Sequence, residues 1–141
     1  MTSQTGRFAL DPTLEADSLP VKKLGLCELR LIDDSRWPWL ILVPQRPDIV
    51  EVFDMTHLDQ TMLSFEFGLV AKPFKMLTGC DKLNLATLGN AVPQFHCHIV
   101  ARSKDDPNWP KPVWGFGDRV PYDKDVADAF IADIVKAILP V

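Results

Sequence analysis

The period of the apolar positions changes several times along this 141-residue chain, and each change marks an element. Residues 21–32 alternate imperfectly, with Leu24, Leu26, Leu29 and Leu31 set among Lys22, Lys23, Glu28 and Arg30. That pattern predicts a strand with one buried face, and Gly25 inside it predicts a bulge or a close approach. Asp33-Asp34-Ser35-Arg36 reads as a turn. Trp39 to Val43 is an unbroken apolar run of strand length, so it should be buried on both faces and pair with its predecessor as an antiparallel hairpin. Pro44 and Pro47 cannot donate to a ladder and should end it.

Helical spacing follows. Thr56 is placed to cap, and Asp59 suits the positive end of a helix. Leu58, Met62, Phe65 and Leu69 then recur at helical intervals, which predicts a core-facing stripe, widened by Phe67 and Val70. Pro73 predicts a kink, and Gly79 a stop. Lys82 to Thr87 reads as a strand and Gly89-Asn90 as a turn. Pro93 to Arg102 reads as a further strand. Residues 103–122 carry Trp109, Trp114, several prolines and Gly115 and Gly117; such large apolar side chains predict an ordered loop. A last helix over 123–139 carries Val126, Phe130, Ile134 and Ile138 on one stripe, flanked by Ala127, Ile131 and Val135. Residues 1–20 read as an irregular lead-in, with a short helical turn between Asp11 and Asp17. The sum is a single α+β domain over 1–141: an antiparallel sheet of about five strands with two main helices on one face.

Composition narrows the function classes. A net charge of −4 gives no basic surface for a nucleic-acid backbone, although a small phosphorylated ligand needs only local donors. Cys27, Cys80 and Cys97 form no CxxC pair and sit beside apolar residues, which predicts buried, reduced thiols. No apolar run follows the N-terminal residues as in a signal peptide, and none reaches membrane-spanning length. The expected compartment is the cytoplasm.

The candidate chemistry lies in Gln94-Phe95-His96-Cys97-His98-Ile99-Val100. Read as a strand, Phe95, Cys97 and Ile99 face the core, and Gln94, His96 and His98 face the other way. Three polar groups would then stand on one face, each about 6.5 to 7 Å from the next. The free imidazole pKa is about 6.5, so a neutral ring nitrogen is available as a nucleophile near neutrality, provided its other nitrogen donates to a fixed acceptor. A metal would need a third ligand; Cys97 faces the opposite side and His57 opens a helix, so no metal is expected.

The same stretch resembles the signature of the histidine triad (HIT) family, His-φ-His-φ-His-φ-φ, with Gln94 in place of the first histidine. Asn84 to Pro93 is similar to the loop that leads into that motif, and Trp39 to Pro44 to the family strand that ends in proline. The resemblance covers roughly residues 20 to 102. It implies a HIT-like fold, a homodimer paired edge to edge, and hydrolysis or transfer at the α-phosphate of a nucleoside 5′-phosphoryl compound such as a dinucleoside polyphosphate or a phosphoramidate. His96 would be the nucleophile that carries the nucleotide, and His98 would bond phosphate oxygens or the leaving group. Gln94, Asn84, Gly89 and Asn90 would contact the substrate, and Leu26, Leu31 and Ile32 would line the nucleoside pocket. No cofactor is implied beyond magnesium with a polyphosphate. Two positions depart from the pattern: Gln94 cannot carry a proton, and Ala91 lacks the hydroxyl that hydrolytic relatives often place there. They motivate an alternative, a nucleotide-binding or regulatory protein with little turnover.

Overall fold

The structure is a computed structural model that describes residues 6–138. Its elements run α1 (Pro12–Asp17), β1 (Ser18–Lys23), β2 (Cys27–Ile32), β3 (Trp39–Pro44), a 3-10 turn (Val52–Asp54), α2 (His57–Thr78), β4 (Lys82–Ala86), β5 (Cys97–Arg102) and α3 (Lys124–Ile138). The strands form one antiparallel sheet in the order β1-β2-β3-β5-β4. The expected α+β architecture is the observed one. The end of the last helix at residue 139 and the first five residues of the lead-in lie outside the described residues.

The expected single strand over 21–32 is two strands. The chain reverses at Leu24-Gly25-Leu26, where the Leu24 amide donates to the Cys27 carbonyl at 2.8 Å. A carboxylate from α2 holds this turn: buried Glu66 accepts from the amides of Leu26 (2.7 Å) and Cys27 (2.9 Å). A Cβ at Gly25 would stand 3.4 Å from that carboxylate, so the glycine marks a close approach. The bulge sits in β1, between Pro20 and Lys22. The lead-in is accordingly more regular than expected, with α1 capped by the Asp11 carboxylate and Ser18 already in the sheet.

One face of the sheet is a dry core. Leu29 and Leu31, Leu40 and Leu42, Cys97, Ile99 and Ala101 alternate toward α2 and α3 and pack on Leu63, Val70, Phe74, Ile134 and Ile138. Thr56 caps α2 by accepting from the Asp59 amide, and Gly79 ends it in a left-handed conformation (φ 65°). Pro73 lies inside the helix, which continues to Thr78. The face that α2 buries differs from the expected stripe. Leu63, Glu66, Val70 and Phe74 are buried, whereas Leu58, Phe65 and Leu69 are exposed and Met62 is half-buried. The true stripe contains Glu66, which an apolar pattern passes over because its burial depends on the two backbone amides it caps. On α3, Ala127, Ile134 and Ile138 are buried and Val126 is exposed.

The opposite face is covered by chain without long helices. Leu14 packs on Ile41 and Val43 with Phe8, Leu10 and Val92, and Trp37, Trp39, Val100 and Val113 form a second cluster. Between β5 and α3 the chain forms no helix or strand, and its Val113 and Trp114 pack against Trp37 and Trp39.

Candidate functional site

The register of the sheet sets the site. β5 pairs with β3 so that Ile41 lies opposite His98 and Trp39 opposite Val100. Trp39 and His98 are therefore diagonal neighbours on one face, within reach of an aromatic side chain. β5 begins at Cys97, and His96 immediately precedes it. The two imidazoles stand side by side, centroids 4.9 Å apart. Both line a cavity of about 620 Å³ whose walls are Leu14 and Ile32, the loop from Leu88 to Val92, and the segment from Val113 to Gly117. Asp17, Asp34, Arg36 and Arg119 complete the lining.

Each imidazole has one nitrogen tied to the protein. His96 Nδ1 lies 2.7 Å from the Gln94 carbonyl. A carbonyl only accepts, so Nδ1 carries a proton, and in the neutral ring Nε2 keeps its lone pair. His98 Nδ1 lies 2.9 Å from Trp39 Nε1, and an indole N–H only donates. Burial, helped by the neighbouring His96, pushes the His98 pKa down to about 3. His98 is thus neutral, with its proton on Nε2. Trp114 stands edge-on to His98 at 5.1 Å and closes that side.

The structure brings together His96, His98, Gly89 and Asn90 of the expected site. Gly89 needs its lack of a side chain, with φ at 79°. Ala91 also lines the cavity, so the missing hydroxyl is missing at the site itself. Gln94 stands apart. Its side chain does not join the histidines; it accepts from the Asp11 amide (2.8 Å) and donates to the Ala9 carbonyl (2.9 Å), in a different hollow. The alternation argument fails for it because the strand starts three residues later. Asn84 also lies outside the cavity lining and accepts from Arg102 at 3.2 Å. Of the three residues expected to line a nucleoside pocket, only Ile32 does; Leu26 and Leu31 face the helices. Asp33 accepts from the Tyr122 amide, and its neighbour Asp34 is the one at the cavity. Burial alone would raise the Asp34 pKa, but hydrogen bonds from Arg36 and the Val120 amide hold it below the usual carboxylate range. Arg102 is buried and paired with Asp106 at 2.7 Å.

Trp39, Trp114, Asp34, Arg36 and Arg119 belong to the cavity without having stood out as site residues. The Pro/Trp/Gly-rich composition of 103–122 was the available signal for Trp114 and its neighbours. Cys97 points into the helix-side core, and burial raises its thiol pKa to about 12, which removes it as a ligand or nucleophile. Among the described residues, no three His, Cys, Asp or Glu side chains come together to hold a metal, and no helix is long and apolar enough to cross a membrane.

The HIT domain model matches residues 13–105. Among solved structures, a histidine triad protein from Sinorhizobium meliloti is 54% identical with a TM-score of 0.90, covering 92% of this chain and 96% of that one. A histidine triad protein from Bradyrhizobium japonicum is 40% identical (TM-score 0.91, 94% and 98% covered), and one from Marinobacter aquaeolei is 38% identical (0.92, 94% and 97%). Comparison with curated proteins returns no match.

Proposed function

The chain belongs to the HIT family, and from that premise we propose that it is a nucleotide hydrolase or nucleotidyl transferase acting at the α-phosphate of a nucleoside 5′-phosphoryl compound. The observation that carries this reading is the pair of opposite tautomers on one cavity wall. Nε2 of His96 attacks phosphorus; a P–N bond forms and the P–O or P–N bond to the leaving group breaks, the leaving group keeping the electron pair. The His96 ring becomes positively charged, and the Gln94 carbonyl on Nδ1–H stabilises that charge. His98 offers Nε2–H to a phosphoryl oxygen or to the leaving atom. Water or another acceptor then attacks phosphorus, the P–N bond breaks, its electron pair returns to Nε2, and the acceptor's proton passes to solvent. Gly89 and Asn90 border the phosphoryl group. The fold needs no resident cofactor for these steps, and magnesium would travel with a polyphosphate substrate.

Single-turnover reactions with labelled diadenosine tetraphosphate and adenosine 5′-phosphoramidate test this. An acid-labile nucleotide adduct should form on the wild type and be absent in His96→Ala. Stoichiometric nucleotide binding without any adduct would favour the second reading, a nucleotide-binding protein with little turnover, for which Ala91 in the cavity is the supporting observation.

The family resemblance also brings a homodimer, and the unexpected face of α2 supports it. Leu58, Phe65, Leu69 and Met76 are exposed at intervals of seven, four and seven, a seam that suits a second helix. β4 is the outer strand beside it, with Leu85 exposed. Light scattering should give a dimer for the wild type and a monomer for Phe65→Asp.

A further inference from the structure

We propose that Trp39 is the positioning residue of the site: its indole N–H fixes His98 as a neutral imidazole with the proton on Nε2, so that the second imidazole of the cavity serves as a donor and never as a cation. The catalytic meaning of this assignment rests on the function proposed above; the assignment itself rests on geometry.

Trp39 is 8% exposed and cannot swing away. Trp37 packs edge-on against it at 6.3 Å and Trp114 at 5.8 Å, while its own ring lies 5.7 Å from that of His98. Its Nε1–H has no acceptor capacity, so the nitrogen 2.9 Å away must present a lone pair. Protonating His98 at Nδ1 would set two N–H groups against each other in a buried place and leave both without a partner. The other ionisable groups about this face are His96, the Arg102–Asp106 pair further along β5, and Asp17, Asp34, Arg36 and Arg119 on the cavity walls. The last four are two carboxylates and two guanidiniums that pair with each other, Arg36 with Asp34 and Arg119 with Asp17, so they do not impose a net charge on His98.

The two imidazoles are thereby given opposite jobs by opposite partners. A carbonyl, which can only accept, bares Nε2 of neutral His96; an indole, which can only donate, occupies Nδ1 of His98 and leaves that ring's proton on Nε2. Were both rings held by carbonyls, two lone pairs would face an anionic phosphoryl group. Were both held by indoles, no nucleophile would remain. A tryptophan at position 39 thus sorts one attacking nitrogen from one donating N–H, which the pattern H-x-H by itself leaves equivalent.

The test is nitrogen NMR on the full-length, uniformly 15N-labelled protein without substrate. A scalar coupling across the hydrogen bond should join Trp39 Nε1 to His98 Nδ1. The His98 Nδ1 resonance should be that of an unprotonated nitrogen and stay so from pH 8 to pH 5. In Trp39→Phe the ring survives and the N–H is lost, so His98 should populate the Nδ1–H form and begin to titrate in that range. With turnover, kcat should fall about tenfold to a hundredfold while KM changes by less than about twofold, and the pH profile of kcat should gain an ionisation. Absence of the coupling, or a proton on His98 Nδ1 in the wild type, overturns the assignment. So does a Trp39→Phe protein whose His98 tautomer and pH profile match the wild type. The coupling is read on unmodified protein, so a variant that fails to fold does not block the decision. If the wild type forms no nucleotide adduct yet shows the coupling, the reaction proposed above fails and the role of Trp39 in fixing the tautomer stands.

Discussion

The two faces of the sheet are made from the same strands and differ in nearly everything else. Toward the helices, Leu29, Leu31, Leu40, Leu42 and Ile99 are sealed from water among other apolar side chains. On the far side, Arg30, Ile41, His98 and Val100 are equally buried. There the polar groups are satisfied one by one: Arg30 by Glu28 and Ser18, His98 by Trp39, and Arg102 by Asp106. The helix face gains its stability from area and close packing, and the buried carboxylate it holds, Glu66, is satisfied by two backbone amides. The far face is closed by the lead-in and a tryptophan-rich loop, and it leaves a cavity where they meet. Burial is common to both faces. Side chain to side chain hydrogen bonds that fix titratable groups mark the face with the cavity.

That contrast can be broken most sharply at its two centres. His96→Ala should lower nucleotide turnover at least about a thousandfold, since the proposed reaction forms its bond at that ring, while the denaturation midpoint stays close to that of the wild type. Leu40→Ala on the helix face should do the reverse. It should cost about 3 kcal/mol in chemical denaturation, and the folded fraction should still take up nucleotide normally.

A smaller effect separates the faces by pH. The folded-state pKa of His98 lies near 3, below its ordinary value of about 6.5, so the unfolded chain binds more protons between those limits. Stability therefore rises with pH through that window, and the contribution of a neutral His98 is lost as pH falls below about 6.5. Between pH 7.5 and pH 5 the wild type should lose about 2 kcal/mol more than His98→Gln, measured by denaturant unfolding at both pH values. An equal loss in the two proteins would mean that His98 is open to water. The corresponding comparison at Leu40 should be flat.

The smallest effect concerns Gln94. Its amide fastens the lead-in at Ala9 and Asp11, behind the cavity wall that Leu14 provides. Gln94→Ala should lower stability by about 1 kcal/mol through the lost hydrogen bonds. Gln94→His should leave turnover within about twofold, because the side chain is directed away from the reacting atoms. A large gain in rate from that histidine would show that the substitution at the first motif position handicaps the enzyme.

Much of this was legible in the chain. The caps Thr56 and Gly79, the β3 run and its antiparallel partner, the last helix and the position of His96 and His98 at a common wall all follow from local pattern. Such features depend on short-range rules: a side chain that bonds a nearby amide, a glycine that takes a left-handed turn, or a two-residue period. Three things did not follow. The turn at Gly25 depends on Glu66, forty positions away from Leu26. The buried face of α2 differs from the apolar stripe because apolar residues lie on both sides of that helix, and periodicity cannot say which side meets the sheet. Gln94 parts from the histidines because β5 begins only at Cys97, so a two-residue period does not reach back to it.

The sequence by itself determined the set of elements and the presence of two imidazoles with an apolar residue between them. Only the tertiary structure decided which nitrogen of each ring is bare. A proton's position on an imidazole is set by the partner it meets. For His98 that partner is an indole on another strand, brought there by sheet register; for His96 it is the carbonyl two residues back, aimed by the bend of the chain into β5.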